Sequence, residues 1–211
     1  MKENFDRGEC ELIGAIMGDG YIYTNNSKYV IGLTGNIITD KEYFEYLKNL
    51  IEKTWDKKPQ LRIRSNGIRL RFNSKAVVSR LIHYFEIPYG KAKAEKVKIP
   101  QKLLEWEYAK HVIRGIVDTD GSIFVANKPG SPNYPSIEIT TVSHELAIQL
   151  RNILIEKEFR VANIWSYKSK LSKLTTFKVP LNGVQNVRKW VDEISFSNPY
   201  KFQKALAVLN R

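Results

Sequence analysis

The chain has 211 residues, of which 43% are hydrophobic and 11% aromatic, and its 34 Lys+Arg outnumber its 22 Asp+Glu to give a net charge of +12. That length holds one large domain or two small ones sharing a core, and without a low-complexity tract the whole chain is expected to fold. No apolar run approaches the roughly 20 residues that span a bilayer, and a lone Cys10 excludes an internal disulfide framework or a cysteine zinc site.

Along the chain, apolar spacing predicts a helix over 8–18, strands at 21–24 and 29–33, and a helix over 40–54. Strands at 60–64 and 68–73 and a helix over 74–86 follow. Residues 91–100 are polar and read as a connector. The same order then returns: a helix over 102–119, strands at 122–127 and 135–141, a helix over 143–158, strands at 160–168 and 174–180, and a helix over 183–194. A last helix, 200–209, closes the chain. The fold class is therefore mixed α+β, two αββαββ(α) repeats over residues 1–98 and 99–211.

Charge follows the same division. Residues 1–100 and 101–211 each carry an excess of six positive charges, as two similar basic units would. Nucleic acid is the first partner such an excess suggests, ahead of an anionic membrane surface. The start, Met-Lys-Glu-Asn-Phe-Asp-Arg, has acids where a secretion signal would be apolar, so an intracellular, reducing compartment is expected. Asn25-Asn26-Ser27 is then a chance sequon, and His83, His111 and His144 are too widely spaced to suggest a ligand set.

Two short stretches share one character. Leu12-Ile-Gly-Ala-Ile-Met-Gly-Asp-Gly20 precedes Tyr-Ile-Tyr23, and Ile113-Arg-Gly-Ile-Val-Asp-Thr-Asp-Gly121 precedes Ser-Ile-Phe124. Leu47-Lys-Asn49 recurs as Leu150-Arg-Asn152, each followed by Ile-Glu-Lys. Matched order over a half-chain marks an internal repeat. Gly14 and Gly18 share a helix face, and Gly115 and Thr119 take the same places in the second copy. Glycine within a helix costs about 1 kcal/mol relative to alanine, and close approach of a second backbone is a reason to accept it. Packing on these faces would set Asp19 beside Asp120 at two helix C-termini. Anions are disfavoured there by roughly 0.3–1 kcal/mol, and adjacent carboxylates also repel. A bound cation resolves both, and an all-oxygen donor set suits Mg²⁺ (or Mn²⁺) working on phosphodiesters.

Both stretches resemble the LAGLIDADG motif of homing endonucleases, and the repeat covers nearly the whole chain. The second copy is close, with acids at Asp118 and Asp120; the first has Met17 in place of the first acid and Gly18 in place of the usual alanine. Leu33-Thr-Gly-Asn36 with Asp40-Lys-Glu-Tyr43 is similar to archaeal and intein-borne members. The resemblance implies that Asp19 and Asp120 are the catalytic, metal-binding acids, with the carbonyls of Gly18 and Thr119 as further metal ligands. It implies an intron-encoded, monomeric enzyme, two saddle-shaped antiparallel sheets on DNA, and cleavage of a long, near-palindromic double-stranded site. Basic residues assist in such sites: Lys91 or Lys93, after Ile87-Pro-Tyr-Gly90, and Lys201 or Lys204, after Asn198-Pro-Tyr200, stand at comparable places. Asn36 and Thr141 are candidates for ordering water. The family also includes non-catalytic nucleic-acid binders such as intron RNA maturases, so intron RNA is an alternative partner; retention of both acids argues for cleavage.

The DNA-facing surface is most legible at Gln60-Leu-Arg-Ile-Arg-Ser-Asn-Gly-Ile-Arg-Leu-Arg-Phe72. An Asn66-Gly67 type I′ turn would pair Arg64 with Arg69 and Arg62 with Arg71, leaving Leu61, Ile63, Leu70 and Phe72 on the buried face. Like charges across a ladder are destabilising, so four arginines on one face imply a polyanion. Strand alternation adds Tyr21, Tyr23 and Lys28, then Ser122, Phe124, Glu138 and Thr140. The stretch Trp165–Lys178 contributes Lys168, Lys170, Lys173 and Lys178.

Overall fold

The computed structural model describes residues 3–90, 93–128, 131–168 and 173–210. Helix α1 (Arg7–Met17) starts where Asp6 Oδ1 accepts from the Glu9 N–H at 2.9 Å, satisfying one of the free donors of the first turn. Every residue from Glu9 to Met17 is buried, because α1 lies against α5 (Trp106–Asp120), α2 (Ile37–Trp55) and the strands that follow it. A helix enclosed in this way must be apolar nearly all round.

After α1 come β1 (Gly20–Asn25) and β2 (Lys28–Asn36), then α2, β3 (Gln60–Arg64) and β4 (Gly67–Asn73). Helix α3 (Lys75–Ser79) winds directly into a π-helical turn over Arg80–Tyr84, where one helix over 74–86 was expected. The connector holds the short α4 (Lys93–Lys96) and a 3₁₀ turn, Gln101–Leu103. The second half gives α5, β5 (Gly121–Lys128), β6 (Ser131–Thr141), α6 (His144–Glu156), β7 (Trp165–Lys168), β8 (Thr175–Asn182) and α7 (Val184–Glu193). Helix α8 (Pro199–Leu209) closes it, capped by Asn198 with proline in its first turn.

Both sheets are antiparallel and share one order, β1-β2-β4-β3 and β5-β6-β8-β7. This is the mixed α+β class expected. Ile22, Ile31, Leu33, Ile68, Leu70 and Phe72 bury one face of the first sheet, with Tyr43, Phe44, Leu47 and Ile51 of α2 in the same core. Ile123, Ile137, Ile139, Val179 and Leu181 do so in the second, with Leu146, Leu150 and Leu154 of α6 and Val187 and Trp190 of α7. Each large side chain buried this way contributes about 1.5–3 kcal/mol.

Contact between α1 and α5 joins the halves. A Cβ at Gly14 would fall on the Val112 carbonyl, and one at Gly115 on the Glu11 carbonyl. Backbone meets backbone at both positions, so no side chain fits. Beside them the buried Glu11 carboxylate accepts from Arg114 Nε at 3.1 Å and from the Tyr46 hydroxyl at 3.1 Å.

Two expectations need correction. The β3–β4 hairpin turns at Ser65-Asn66, with Ser65 at φ 51°, so Arg64 pairs with Gly67, Arg62 with Arg69 and Gln60 with Arg71. A two-residue slip keeps every side chain on its face, so alternation cannot choose between the registers. The neighbouring strand chooses. Gly67 pairs with Asn36, the Asn66 carbonyl accepts from the Ile37 N–H at 3.0 Å, and Ile68 is buried between Gly35 and Ile63. Ile63, expected in the core, is 53% exposed on the outer strand. The other correction is β7, which begins at Trp165 rather than near 160. The Asn186 side chain takes both the N–H and the carbonyl of Arg160, at 3.0 and 2.8 Å, which satisfies that backbone without a strand neighbour.

Candidate functional site

The two motif helices end side by side. A Cβ on Gly18 would collide with Thr119 Oγ1 and come within 2.9 Å of Asp120 Oδ2, so the last turn of α1 presses on the acid at the end of α5. Asp19 follows Gly18, the C-cap of α1, and Asp120 is the final residue of α5. Burial raises the pKa of both: Asp120 reaches about 7, with repulsion from Asp19 the next cause, while Lys93 and Lys201 oppose the shift. For Asp19 burial is again first, opposed by Lys201 and reinforced by Asp40. Among the described residues neither carboxylate accepts a hydrogen bond.

Two lysines hold the same ends. Lys93 Nζ donates to the carbonyls of Ile16, Gly18 and Gly20 at 2.6, 3.0 and 2.6 Å. Lys201 Nζ donates to those of Val117, Asp118 and Thr119 at 2.8, 2.8 and 3.1 Å. Each ammonium satisfies carbonyls that a helix C-terminus leaves free and offsets its negative end. Burial lowers the pKa of Lys93 to about 8 and that of Lys201 in the same direction, against the pull of the nearby acids. Lys91 lies outside the described residues. Lys204 is exposed, with Nζ 4.8 Å from the Tyr200 ring centroid.

Other candidates have local structural partners. Asn36 Oδ1 caps α2 by accepting from the Ile38 N–H, and Thr141 Oγ1 accepts from the Ser143 N–H. Asp118, the acid that Met17 replaces in the first motif, is 1% exposed and accepts from the Ser197 N–H at 2.8 Å; burial raises its pKa to about 7.

Sequence reasoning missed the link between Asp40 and Asn198. Asn198 Nδ2 donates to Asp40 Oδ1 at 3.2 Å and to the Asp118 carbonyl at 3.4 Å, while Asp40 Oδ2 accepts from the Asn36 N–H. The partners are 158 residues apart in the case of Asp40 and Asn198, and no local pattern announces such a contact.

On the outer face of the first sheet, register aligns Tyr21, Gly32, Arg71 and Gln60 in one row, and Thr34, Arg69 and Arg62 in the next. Arg62, Arg64, Arg69 and Arg71 are exposed and, with Lys58 and Asn73, line a groove of about 790 Å³. Tyr21 lies over Gly32, where a Cβ would strike its ring, and the exposed Tyr23 and Lys28 share this face.

The second sheet presents different chemistry. Ser122, Phe124, Glu138, Thr140 and Lys178 share its outer face, as alternation predicts. Glu138, however, is only 8% exposed and accepts from Lys178 Nζ at 2.5 Å. Lys168 alternates to the opposite face from Trp165 and Tyr167, because β7 runs straight through that segment, and it does not join Lys178. Lys170 lies outside the described residues. Trp165 and Tyr167, whose alternating Trp-Ser-Tyr spacing was legible, stand exposed beside Lys178.

Two like halves, each with an Asp-Gly step at the end of a motif helix beside its sheet, define the fold. Residues 107–194 match the model of the LAGLIDADG-like domain, and the fold of the chain is that of single-chain, two-motif LAGLIDADG endonucleases. Structures similar to it include I-DmoI in complex with DNA and Ca, at 16% identity and TM-score 0.61 over 99% of this chain and 100% of that one. The meganuclease I-AabMI bound to uncleaved DNA shares 12% identity at TM-score 0.60, over 98% and 91% of the two chains. I-WcaI bound to its DNA recognition sequence shares 20% at TM-score 0.59, over 96% and 85%. In sequence, the chain is similar to replication factor C small subunits. One, from Thermococcus kodakarensis, is 26% identical over 96% of this chain and 21% of its own length; another, from Methanocaldococcus jannaschii, is 23% identical over 99% and 10%. The chain thus spans about a fifth and a tenth of those relatives. Among the described residues no helix is long and apolar enough to cross a membrane.

Proposed function

We propose that the chain is a site-specific double-strand DNA endonuclease that works as a monomer, with residues 1–98 and 99–211 each addressing one half of a long, near-palindromic site. The observation that carries this reading is the meeting of Asp19 and Asp120 at the ends of two touching helices, each followed by its own four-stranded sheet. Divalent metal use in the solved relatives, with Mn, Mg or Ca, supports Mg²⁺ or Mn²⁺ as the cofactor.

The residues present fit such an ion. Both carboxylates lack hydrogen-bond donors among the described residues, and the carbonyls of Gly18 and Thr119 beside them add two further oxygen ligands. Among those residues no cluster of three or more His, Cys, Asp or Glu could hold a metal alone, as suits a site completed by DNA phosphate and water. When bound, the metal supplies charge stabilisation and an activated water for phosphodiester hydrolysis. Asp19 and Asp120 hold it, and the carbonyls of Gly18 and Thr119 each keep a second lone pair beyond the lysine bond. Lys93 and Lys201 fix the helix ends, so the carboxylates are positioned before DNA arrives. The arginine face of the first sheet holds phosphates and guanine edges.

The test is a cleavage selection on a randomised duplex library with Mg²⁺ and with EDTA. Recovery of one preferred, Mg²⁺-dependent double-strand cut supports the reading. Tight binding with no cut under any divalent ion would overturn it in favour of a non-catalytic binder.

A further inference from the structure

We propose that the second sheet reads thymine methyl groups, so that the two half-sites of the target are recognised by different chemistry. This rests on the DNA-binding reading above. Backbone pairing fixes which positions correspond. Gly20 pairs with Leu33 as Gly121 pairs with Ile139, and the next rows are Thr34–Arg69–Arg62 and Thr140–Lys178–Trp165. Two positions further out, Arg64 corresponds to Tyr167. Where the first sheet sets two arginines, the second therefore sets two aromatics.

Trp165 and Tyr167 are 46% and 44% exposed and stack on each other, with centroids 5.6 Å apart and planes at 29°. Phe124, 40% exposed, shares their face. Lys178, in the position of Arg69, is not free for phosphate. Glu138 binds it, and its Nζ sits 4.9 Å from the Trp165 ring centroid and 5.8 Å from that of Tyr167. Within a chain of net charge +12, the centre of this face is a neutralised ion pair flanked by exposed rings.

Its surroundings select the ligand. In a duplex the base faces are stacked, so an aromatic side chain in the major groove meets base edges, and the apolar group displayed there is the thymine 5-methyl. In the major groove guanine offers only acceptors, which Glu138 cannot pair with, the cytosine amino group opposite meets a carboxylate already held by Lys178, and among the described residues phosphate finds no free cation between the rings. The face is continuous in role with the arginine sheet, its counterpart in the repeat, and completes recognition of the second half-site as an A·T-rich segment.

The full chain is used to recover bound duplexes from a randomised library under chelating conditions, and the preferred duplex is remade with deoxyuridine replacing thymine in one half at a time. Removing methyls from the half facing the second sheet is expected to weaken binding roughly fourfold per contacted methyl. The same change in the other half should have no effect. Trp165→Gln/Tyr167→Ser, both at exposed positions, should bind the thymine and uracil duplexes alike while keeping the wild-type salt dependence. Indifference to uracil in both halves, or a second half-site rich in guanine, would overturn this inference and leave DNA binding standing. Failure to enrich any duplex would remove the DNA-binding reading itself, and this one with it.

Discussion

The two halves share a backbone and a motif helix that ends at an acid, yet spend their surfaces differently. In the first, register lines up four exposed arginines, and among the described residues no acid pairs with them. In the second, the corresponding positions hold Trp165, Tyr167, Pro180 and a lysine already bound to Glu138. The motif helices diverge as well. Glu11 of α1 faces Arg114 of α5, whereas the residues at the exchanged positions, Val112 and Ile13, are apolar. The two copies therefore share the glycine contact, which the packing requires, and the terminal acids. Side chains facing outward, or lying off the pseudo-axis, were free to become specific to one half.

Breaking the asymmetric ion pair should give the largest effect on folding. Arg114→Met leaves Glu11, 1% exposed, without its counter-charge, and should cost about 3–5 kcal/mol in denaturant unfolding. At the exchanged position, Ile13→Val should cost only about 0.5–1.5 kcal/mol. Equal losses would show that the pair contributes nothing particular to the helix contact.

The difference between the sheets should appear in salt dependence. Arg69→Gln removes a free cation and should flatten the slope of log affinity against log salt by about one unit. The paired change Glu138→Gln/Lys178→Gln removes a pair that is already neutral and should leave the slope unchanged. A similar flattening in both would mean that Lys178 leaves Glu138 to contact phosphate.

A smaller effect separates Cys10 from His111, which hold the same place in the two motif helices. Cys10 is a buried thiol whose pKa burial pushes up to about 12, so it stays neutral throughout. His111 is buried with no partner for either ring nitrogen among the described residues, and burial first, then Arg114, lowers its pKa to about 4. Above pH 6.5 it is neutral whether the chain is folded or not. Between 6.5 and 4 the unfolded chain takes up a proton that the folded chain refuses, so stability should fall as pH drops across that window. In His111→Leu that component of the acid loss should vanish from thermal melts.

Much of this was legible beforehand. Apolar spacing located the helices and strands, and the repeated Asp-Gly motif with its glycines placed Asp19 beside Asp120. Local pattern failed where two answers satisfied it equally, as in the hairpin, whose register was settled by Asn36 and Ile37 on another strand. It also failed where contacts join residues far apart in the chain. Lys93 and Lys201 could be suspected from position, but their carbonyl bonds span 73 to 84 residues. Lys178 looked like a free cation because Glu138, 40 residues away, could not be seen to hold it.

The most direct test of the central claim is strand-resolved cleavage of the selected duplex, each strand end-labelled, with Mg²⁺. Wild-type protein should cut both strands. Asp19→Asn and Asp120→Asn should each lose double-strand cleavage by on the order of a hundredfold or more, while binding the duplex at least as well, since a negative charge near phosphates is gone. Undiminished cutting of both strands by the two variants would show that the paired acids merely end their helices, and would contradict the account.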